Sequence, residues 1–556
     1  MIEDFFKEIH NFFKKECQEL NKNFKKKSKE FITQKSAKIL SKTGLNIYNF
    51  SKKIGTETMR DISDISKESV GIECKERKEK EKQEIPNKLL KNKGVKIGTV
   101  KNPWEHKDIK LKADDIRHKI LQGGTGCGKT TLAKHILVER AKKGFGSAYF
   151  ENKDGDAIDD ILRCLPKEIL DKKVIVLDHS KKEYPLALGN FKEGDNIFEE
   201  YLITSQWLDF FINNFGIKDQ FRTKELIKYA CKAVFATQNS TLWDVVKMVE
   251  NQKYREYILS AIDNNKYKDV LNWWNDFEEK SEKQQKQIAQ SFKTRASIIL
   301  SNPTLKTTLG QTPKKRLKYF KWMNEGKIIL IRATGKLGNE TIRNIMGLHM
   351  LGFWQAILQR EDIPENKRKP FMIIADEPQT WLSNNEETLD NIFSKARSYK
   401  VGISCLFQSS TQIKQKSKEL LEIILDNQPD LFQFKSDKSF MNLNKDIDIS
   451  EMKKYHYVGK IEGSKSVYAK SVKPPKKLRS FKKVKEFVEK EREKRNKNYK
   501  QVLRELEKKE RRIFSSKING NVKKERSHKP TTKTSSKKES LKGTKKSSNS
   551  SVKTNW

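Results

Sequence analysis

The chain has 556 residues, more than one hydrophobic core usually holds, which predicts two or three folded units. Only 35% of the residues are apolar and 34% are charged, so part of the chain is not expected to fold. The 116 Lys and Arg exceed the 73 Asp and Glu by a net +43, carried mostly by residues 1–100 and 451–556, which indicates a polyanionic partner. Six scattered cysteines without a CxxC pair exclude a disulfide-rich secreted domain. The apolar runs are short, and the first residues include acidic ones with no small-residue cleavage site after an apolar stretch, so we expect neither a membrane-spanning helix nor a signal peptide.

Residues 1–99 are predicted to form a basic, helical N-terminal region. Apolar residues between Phe5 and Leu20 recur at helix spacing, with lysines between them. The aromatic face either packs on the main domain or a partner helix, or anchors residues 1–30 on an anionic membrane surface. The composition fits both interpretations.

The middle of the chain has the rhythm of an α/β protein. In residues 100–194 short apolar runs alternate with helical patterns, which predicts βαβ units and a parallel sheet. Residues 195–315 carry only amphipathic helical patterns and are predicted to be an all-helical insertion. The β/α rhythm resumes in 316–475 and ends in a hairpin-like stretch. A charged helix is predicted over 476–514 and a disordered basic tail over 515–556.

One glycine-rich segment carries a phosphate-binding pattern, GxxxxGK[ST], between a predicted strand and a predicted helix. Glycines let backbone N–H groups turn toward phosphates, and the helix N-terminus adds partial positive charge. The lysine would reach the β- and γ-phosphates and the following threonine would bind Mg²⁺. The predicted phosphate-binding residues are Gly123, Gly124, Thr125, Gly126, Cys127, Gly128, Lys129, Thr130 and Thr131. The chain lacks the NKxD motif that reads guanine, so ATP is the expected nucleotide.

Two later strands also end in polar residues suited to phosphate chemistry. Asp376 and Glu377 follow a continuous apolar run, and the carboxyl ends of such buried strands bind ligands in α/β sheets. Asp376 is predicted to hold Mg²⁺ and Glu377 to polarise the attacking water. Gln408 follows another apolar run and is placed to sense a γ-phosphate. The alternative is that Asp376 and Glu377 only begin a helix and that Gln408 only begins a loop.

Together these segments resemble the HerA/FtsK-type ATPases, most closely the type IV coupling ATPases of conjugation (TraG/TraD type). The resemblance covers about residues 100–475. Besides the P-loop, it is carried by segments in the family's order: Tyr149–Asp156, Val174–Ser180, Tyr184–Asn190, Gly326–Ile331, Ala375–Gln379, Ala396–Tyr399 and Phe407–Ser410.

The resemblance implies a RecA-like P-loop sheet with helices on both faces, working as a ring, usually a hexamer, that moves DNA with ATP and Mg²⁺. It implies that Gln408 is a sensor and that Arg397 is an arginine finger for a neighbouring subunit. A bridging cation of this kind stabilises charge in phosphoryl transfer. The alternative is that Arg397 only complements a helix dipole.

The chain departs from the family in two respects. It shows no transmembrane helices, and Glu151-Asn152 stand where an Asp-Pro normally precedes a lysine, which leaves the role of Lys153 open. The function predicted is an ATP-driven DNA translocase of conjugative or mobile-element transfer. It would contact the DNA backbone, its own copies and a relaxase or transfer complex, in the cytoplasm or at the inner membrane face. The alternatives are a secretion or genome-packaging ATPase, or a nucleotide-gated scaffold that does not hydrolyse ATP.

Overall fold

The computed structural model describes residues 94–511 apart from gaps within 102–105, 189–196, 216–219, 238–240, 382–385, 409–428 and 437–446. All described residues belong to one unit, Glu84–Trp556. The predictions for residues 1–93, including the membrane or partner contact of 1–30, lie outside the described residues, as does the predicted disordered tail.

Short apolar runs form the strands of one mixed sheet. The strands are β1 (Val95–Lys101), β2 (His106–Leu111), β3 (Lys119–Gln122), β4 (Gly146–Glu151), β5 (Val174–Asp178), β6 (Ile328–Arg332), β7 (Phe371–Asp376), β8 (Val401–Phe407), β9 (Asp430–Phe434), β10 (His456–Lys460) and β11 (Val467–Ser471). Their order across the sheet is β2-β1-β11-β10-β9-β3-β8-β7-β4-β6-β5.

The two halves of this sheet differ in strand direction. From β9 to β5 every neighbouring pair is parallel, as the βαβ rhythm predicted. From β2 to β9 every pair is antiparallel. The predicted hairpin is β10–β11, whereas β1, β2 and β9 were not predicted. The antiparallel half thus extends beyond the predicted hairpin, because hairpin connections add strands without a crossover helix.

Helices cover both faces of the sheet. They are α1 (Lys129–Lys142), α2 (Asp156–Cys164), α3 (Lys167–Lys173), α4 (Ile197–Phe215), α5 (Phe221–Ala236), α6 (Leu242–Glu250), α7 (Gln252–Ser260), α8 (Lys268–Glu278), α9 (Glu282–Ser301), α10 (Pro303–Gly310), α11 (Tyr319–Asn324), α12 (Asn339–Leu358), α13 (Glu386–Lys395) and α14 (Phe481–Arg495). A further helix, α15, covers 499–511.

Each face of the sheet has its own hydrophobic core. One core joins α1 and α2 to residues such as Leu121 and Met372 of the strands. The other joins α12 and the helices from α4 to α10 to the opposite side of the same strands, for example Ile120 and Ile373. Between β5 and β6 the described residues form helices and loops but no strand. None of the described helices combines the length and apolarity that crossing a bilayer requires.

The C-terminal segment differs from the single charged helix predicted over 476–514. Its helix ends at Arg495, and α15 resumes at 499 after a break at Asn496, whose side chain donates hydrogen bonds to the carbonyls of Asp178 and Tyr184 at 3.3 and 2.7 Å. The segment is also packed against the rest of the domain. The buried Val488 of α14 joins one core and the buried Leu506 of α15 joins the other. Residues 481–511 therefore belong to the folded domain.

Candidate active site

The glycine-rich segment forms the turn between β3 and α1. Gly126 and Gly128 have φ of 72° and 116°, conformations that other L-residues adopt only under strain. Helix α1 begins at Lys129 with no acidic residue in its first turn. Its free N–H groups and dipole therefore give the turn the character of an anion site.

Lys129 folds back onto this turn. Its buried Nζ donates hydrogen bonds to the carbonyl oxygens of Gly123 at 2.5 Å and Gly124 at 2.9 Å. Burial lowers the pKa of Lys129, and the nearby Glu377 acts in the opposite direction. The ammonium group thus lies inside the turn, where it can exchange carbonyl oxygens for phosphate oxygens.

The acidic pair lies at the carboxyl end of β7. Asp376 is buried and accepts a hydrogen bond from the Tyr149 hydroxyl at 3.4 Å through Oδ2. Its other oxygen, Oδ1, is buried, receives no hydrogen bond from the described residues and lies 3.6 Å from Lys153 Nζ. Burial raises the pKa of Asp376, and Lys153 offsets only part of that effect.

Glu377 is held on both oxygens. Lys153 Nζ lies 3.0 Å from Oε1, and Gln379 Nε2 donates a hydrogen bond to Oε2 at 2.5 Å. The backbone of Glu377 is left-handed (φ 48°), and its N–H donates to the carbonyl of Leu406 at 3.0 Å. Lys153, whose role the sequence left open, therefore lies between the two carboxylates.

Gln408 and Arg397 lie at opposite ends of β8. The Gly123 N–H donates to the carbonyl of Phe407 at 3.2 Å, so Gln408 begins beside the phosphate-binding turn. Arg397 is exposed and precedes the strand. A strand of 7 residues is about 23 Å long, so Arg397 cannot reach the site of its own chain.

No family model matches this chain, and no curated protein matches it. Among solved structures, the chain is similar to the bacterial conjugative coupling protein TrwBdeltaN70 in its unbound form. The two are 13% identical and superpose with a TM-score of 0.51, over 71% of this chain and 92% of that one. The chain has the P-loop ATPase fold of that coupling protein. The predicted α/β, RecA-like fold and the resemblance to coupling-type ATPases are confirmed at the level of the fold.

Two further structures are similar at lower scores. One is the plasmid coupling protein TrwB in complex with ADP and Mg²⁺, 14% identical over 66% of this chain and 81% of that one, with a TM-score of 0.44. The other is VirB4 of Thermoanaerobacter pseudethanolicus, 11% identical over 69% and 98%, also with a TM-score of 0.44.

The residues at the strand ends fit Mg²⁺ with a polyphosphate. Mg²⁺ prefers oxygen ligands and is usually held by one or two carboxylates plus phosphates. Asp376 Oδ1 is such an oxygen, buried without a hydrogen bond, and Thr130 offers a half-buried hydroxyl in the first turn of α1. The arrangement can therefore hold a metal between β7 and the glycine-rich turn.

Sequence reasoning missed several charged groups beside this site. The Glu151 carboxylate at the end of β4 accepts the N–H groups of Ala157 and Ile158 at 2.8 and 3.0 Å. Burial raises the pKa of Glu151 to about 7, against those two hydrogen bonds. Arg332, at the end of β6, donates to the carbonyl of Gly155 at 2.8 Å and so braces the loop that carries Lys153. The signal in the sequence was a charged residue at the end of each of the apolar runs that form β4 and β6.

Proposed function

We propose that this protein is an ATP-hydrolysing motor that moves DNA in conjugative or mobile-element transfer. The proposal is supported mainly by one observation: three segments suited to phosphate chemistry lie at the same edge of the parallel sheet. The glycine-rich turn follows β3, Gln408 follows β8, and Asp376 with Glu377 follow β7, on three adjacent strands. This is the edge at which α/β sheets bind ligands.

In the proposed reaction the turn from Gly123 to Thr131 holds the phosphates of ATP. Lys129 leaves the carbonyl oxygens of Gly123 and Gly124 and binds the β- and γ-phosphate oxygens. Thr130 and Asp376 would hold Mg²⁺, which when bound neutralises charge on those oxygens.

Glu377 is the proposed base. Its two oxygens each accept one hydrogen bond, from Lys153 and Gln379, which orients the carboxylate and leaves a lone pair that can accept the proton of an attacking water. Gln408, beside the turn, would report the state of the γ-phosphate. Lys153 is therefore proposed to position the base.

Arg397 belongs to a different step. Its place at the far end of β8 supports a role in a neighbouring copy, where a cation stabilises the charge that develops in phosphoryl transfer. We therefore propose a homo-oligomeric ring, a hexamer as in the family resemblance. The net charge of +43 supports sequence-independent contacts to the DNA backbone. A cytoplasmic site of action with a relaxase or transfer complex, and membrane contact through residues 1–30, complete the proposal.

The decisive experiment is the steady-state ATPase rate with and without DNA at two salt concentrations. It compares the wild type with Glu377→Gln and with Glu282→Gln, a control at a side chain that is 87% exposed at the start of α9. We expect DNA to stimulate hydrolysis, salt to weaken the stimulation, and only Glu377→Gln to abolish turnover.

Other outcomes would redirect or refute the proposal. An ATPase rate that is the same with and without DNA would indicate a protein substrate and favour a secretion ATPase. Packaging and translocation assays would then separate a genome-packaging role. No hydrolysis at any protein concentration would refute the motor and leave a nucleotide-gated scaffold.

A further inference from the structure

The order of the strands sets the direction in which a bound nucleotide would run. Asp376 and Glu377 end β7, two strands from β3 on one side, while β9 and β10 lie on the other side. If Glu377 activates water for the γ-phosphate, that phosphate faces β7. The triphosphate then runs from β7 across β3, and the ribose and base leave on the side of β9 and β10.

Tyr455 lies where the base would emerge. It directly precedes β10, which is antiparallel to β9 and therefore begins at the edge where β3 and β9 end. Tyr455 therefore lies about two strand spacings, about 10 Å, from β3 on the side away from β7.

The backbone of Tyr455 is tied to the phosphate-binding turn. Its N–H donates to the carbonyl of Cys127 at 2.9 Å, and its own carbonyl accepts from the N–H of Ser471 at 2.7 Å. Its Cδ1 atom lies 2.9 Å from the point where a Cβ on Gly128 would be. The aromatic ring is therefore fixed against the turn, one residue from Lys129.

Two features of Tyr455 are unusual for an aromatic residue in a turn. Its φ is 62°, a left-handed conformation in which a non-glycine residue is strained and which glycine adopts freely. Its side chain is 46% exposed, so the ring does little for either core. Strained non-glycine residues cluster at ligand sites, where the surrounding structure holds them in place.

We propose that the ring of Tyr455 is the stacking platform for the base of the nucleotide bound at the glycine-rich turn. The inference rests on the proposed nucleotide site and adds the subsite that recognises its aromatic end. Offset stacking of a fixed, exposed ring on a purine is a standard source of nucleotide affinity, and it leaves the phosphate contacts to the turn.

The test compares two probes that share a diphosphate, Mg·ADP and Mg·pyrophosphate. Calorimetry measures the binding of each to the full chain as wild type, Tyr455→Ala and Tyr455→Phe. The control is Tyr201→Ala, at a tyrosine of α4 that is 64% exposed. Tyr455→Ala should weaken ADP binding about 5- to 100-fold, the range for loss of one base–aromatic stack, and leave pyrophosphate binding unchanged. Tyr455→Phe and Tyr201→Ala should bind both probes as the wild type does.

A second readout avoids dependence on the alanine variant. In Tyr455→Trp, indole fluorescence should change on adding ADP and stay constant on adding pyrophosphate. The inference is overturned if Tyr455→Ala binds ADP as well as the wild type does. It is also overturned if the variant loses pyrophosphate equally, because the ring would then only support the turn. A wild type that binds neither probe would refute the proposed nucleotide site itself, which distinguishes the two failures.

Discussion

Replacing Arg492 by Met should detach the C-terminal segment from the edge of the sheet. Arg492 of α14 lies 2.6 Å from Asp178 at the end of β5, and their side chains are only 4% and 2% exposed. Methionine keeps the length of the side chain and removes its charge. The carboxylate would then stay buried without its nearest cation.

The expected loss of unfolding free energy follows from what remains around Asp178. Removing one partner of a buried ion pair typically costs about 3–5 kcal/mol. Asp178 keeps the N–H of Ser180 at 2.8 Å and Arg332 at 4.0 Å, so we expect the lower end of that range, about 3 kcal/mol. Burial raises the pKa of Asp178, but Arg332, Ser180 and Arg492 outweigh it and hold the pKa below its ordinary value. The contribution of the pair is therefore present above that ordinary value and is lost as pH falls through the folded-state pKa.

Urea unfolding of the full chain measures the effect, and hydrogen exchange of residues 481–511 locates it. The control is Lys477→Met, whose pair with Asp160 is 48% and 31% exposed and should contribute about 1 kcal/mol or less. Combining Arg492→Met with Asp178→Asn should recover part of the loss, because no unpaired charge remains. A loss in Arg492→Met no larger than in Lys477→Met would refute the reasoning.

Three further predictions follow from contacts inside the domain. Lys153→Met should lower ATP turnover about 10- to 100-fold because the proposed base loses the contact that fixes it, while nucleotide affinity measured by calorimetry stays the same. Burial lowers the pKa of His179 to about 4 and that of His349 further, and their Nε2 atoms are 2.8 Å apart. The unfolded chain binds protons at these imidazoles and the folded chain does not, so stability should fall between pH 7 and pH 5, by roughly 2 kcal/mol for His179 alone, and urea unfolding of His349→Gln should show a smaller fall. Gly402→Ala would bring a methyl group to 2.5 Å from a backbone oxygen and should cost about 1–3 kcal/mol in thermal unfolding, whereas Gly335→Ala, with open space around it, should cost almost nothing.

The sequence predicted well what depends on local pattern. The glycine-rich turn, helix α1 and the buried strand β7 each carry their signal within about twenty residues, and the structure has all three. The antiparallel strands β1, β2 and β9 were missed because a short polar-apolar alternation is a weak signal beside the long apolar runs of the parallel half.

The role of Lys153 could not be read from its neighbours in the sequence. It contacts Glu377 across 224 positions, a contact that exists only because β4 lies beside β7 in the sheet. The packing of the C-terminal helices α14 and α15 was not predicted, for a different reason. Val488 and Leu506 are buried, but they are isolated apolar residues in a segment whose charge dominates any average over a helix. Strand order, which is a property of the whole domain, decided only the first case.

Opposite charges alternate along the carboxyl edge of the sheet, from the site to its last strand. In order they are Glu377, Lys153, Glu151, Arg332, Asp178 and Arg492. Buried charges need partners, and here they come partly from neighbouring strand ends and partly from helices, as in the pair of Arg332 with Asp159 of α2. Among the described strands β5 has a neighbour on one side only, where Arg332 of β6 lies 4.0 Å from Asp178, and the nearer cation comes from outside the sheet. Helix α14 supplies that nearer cation, Arg492 at 2.6 Å, which helps to explain why a highly charged segment packs against the parallel half of the sheet.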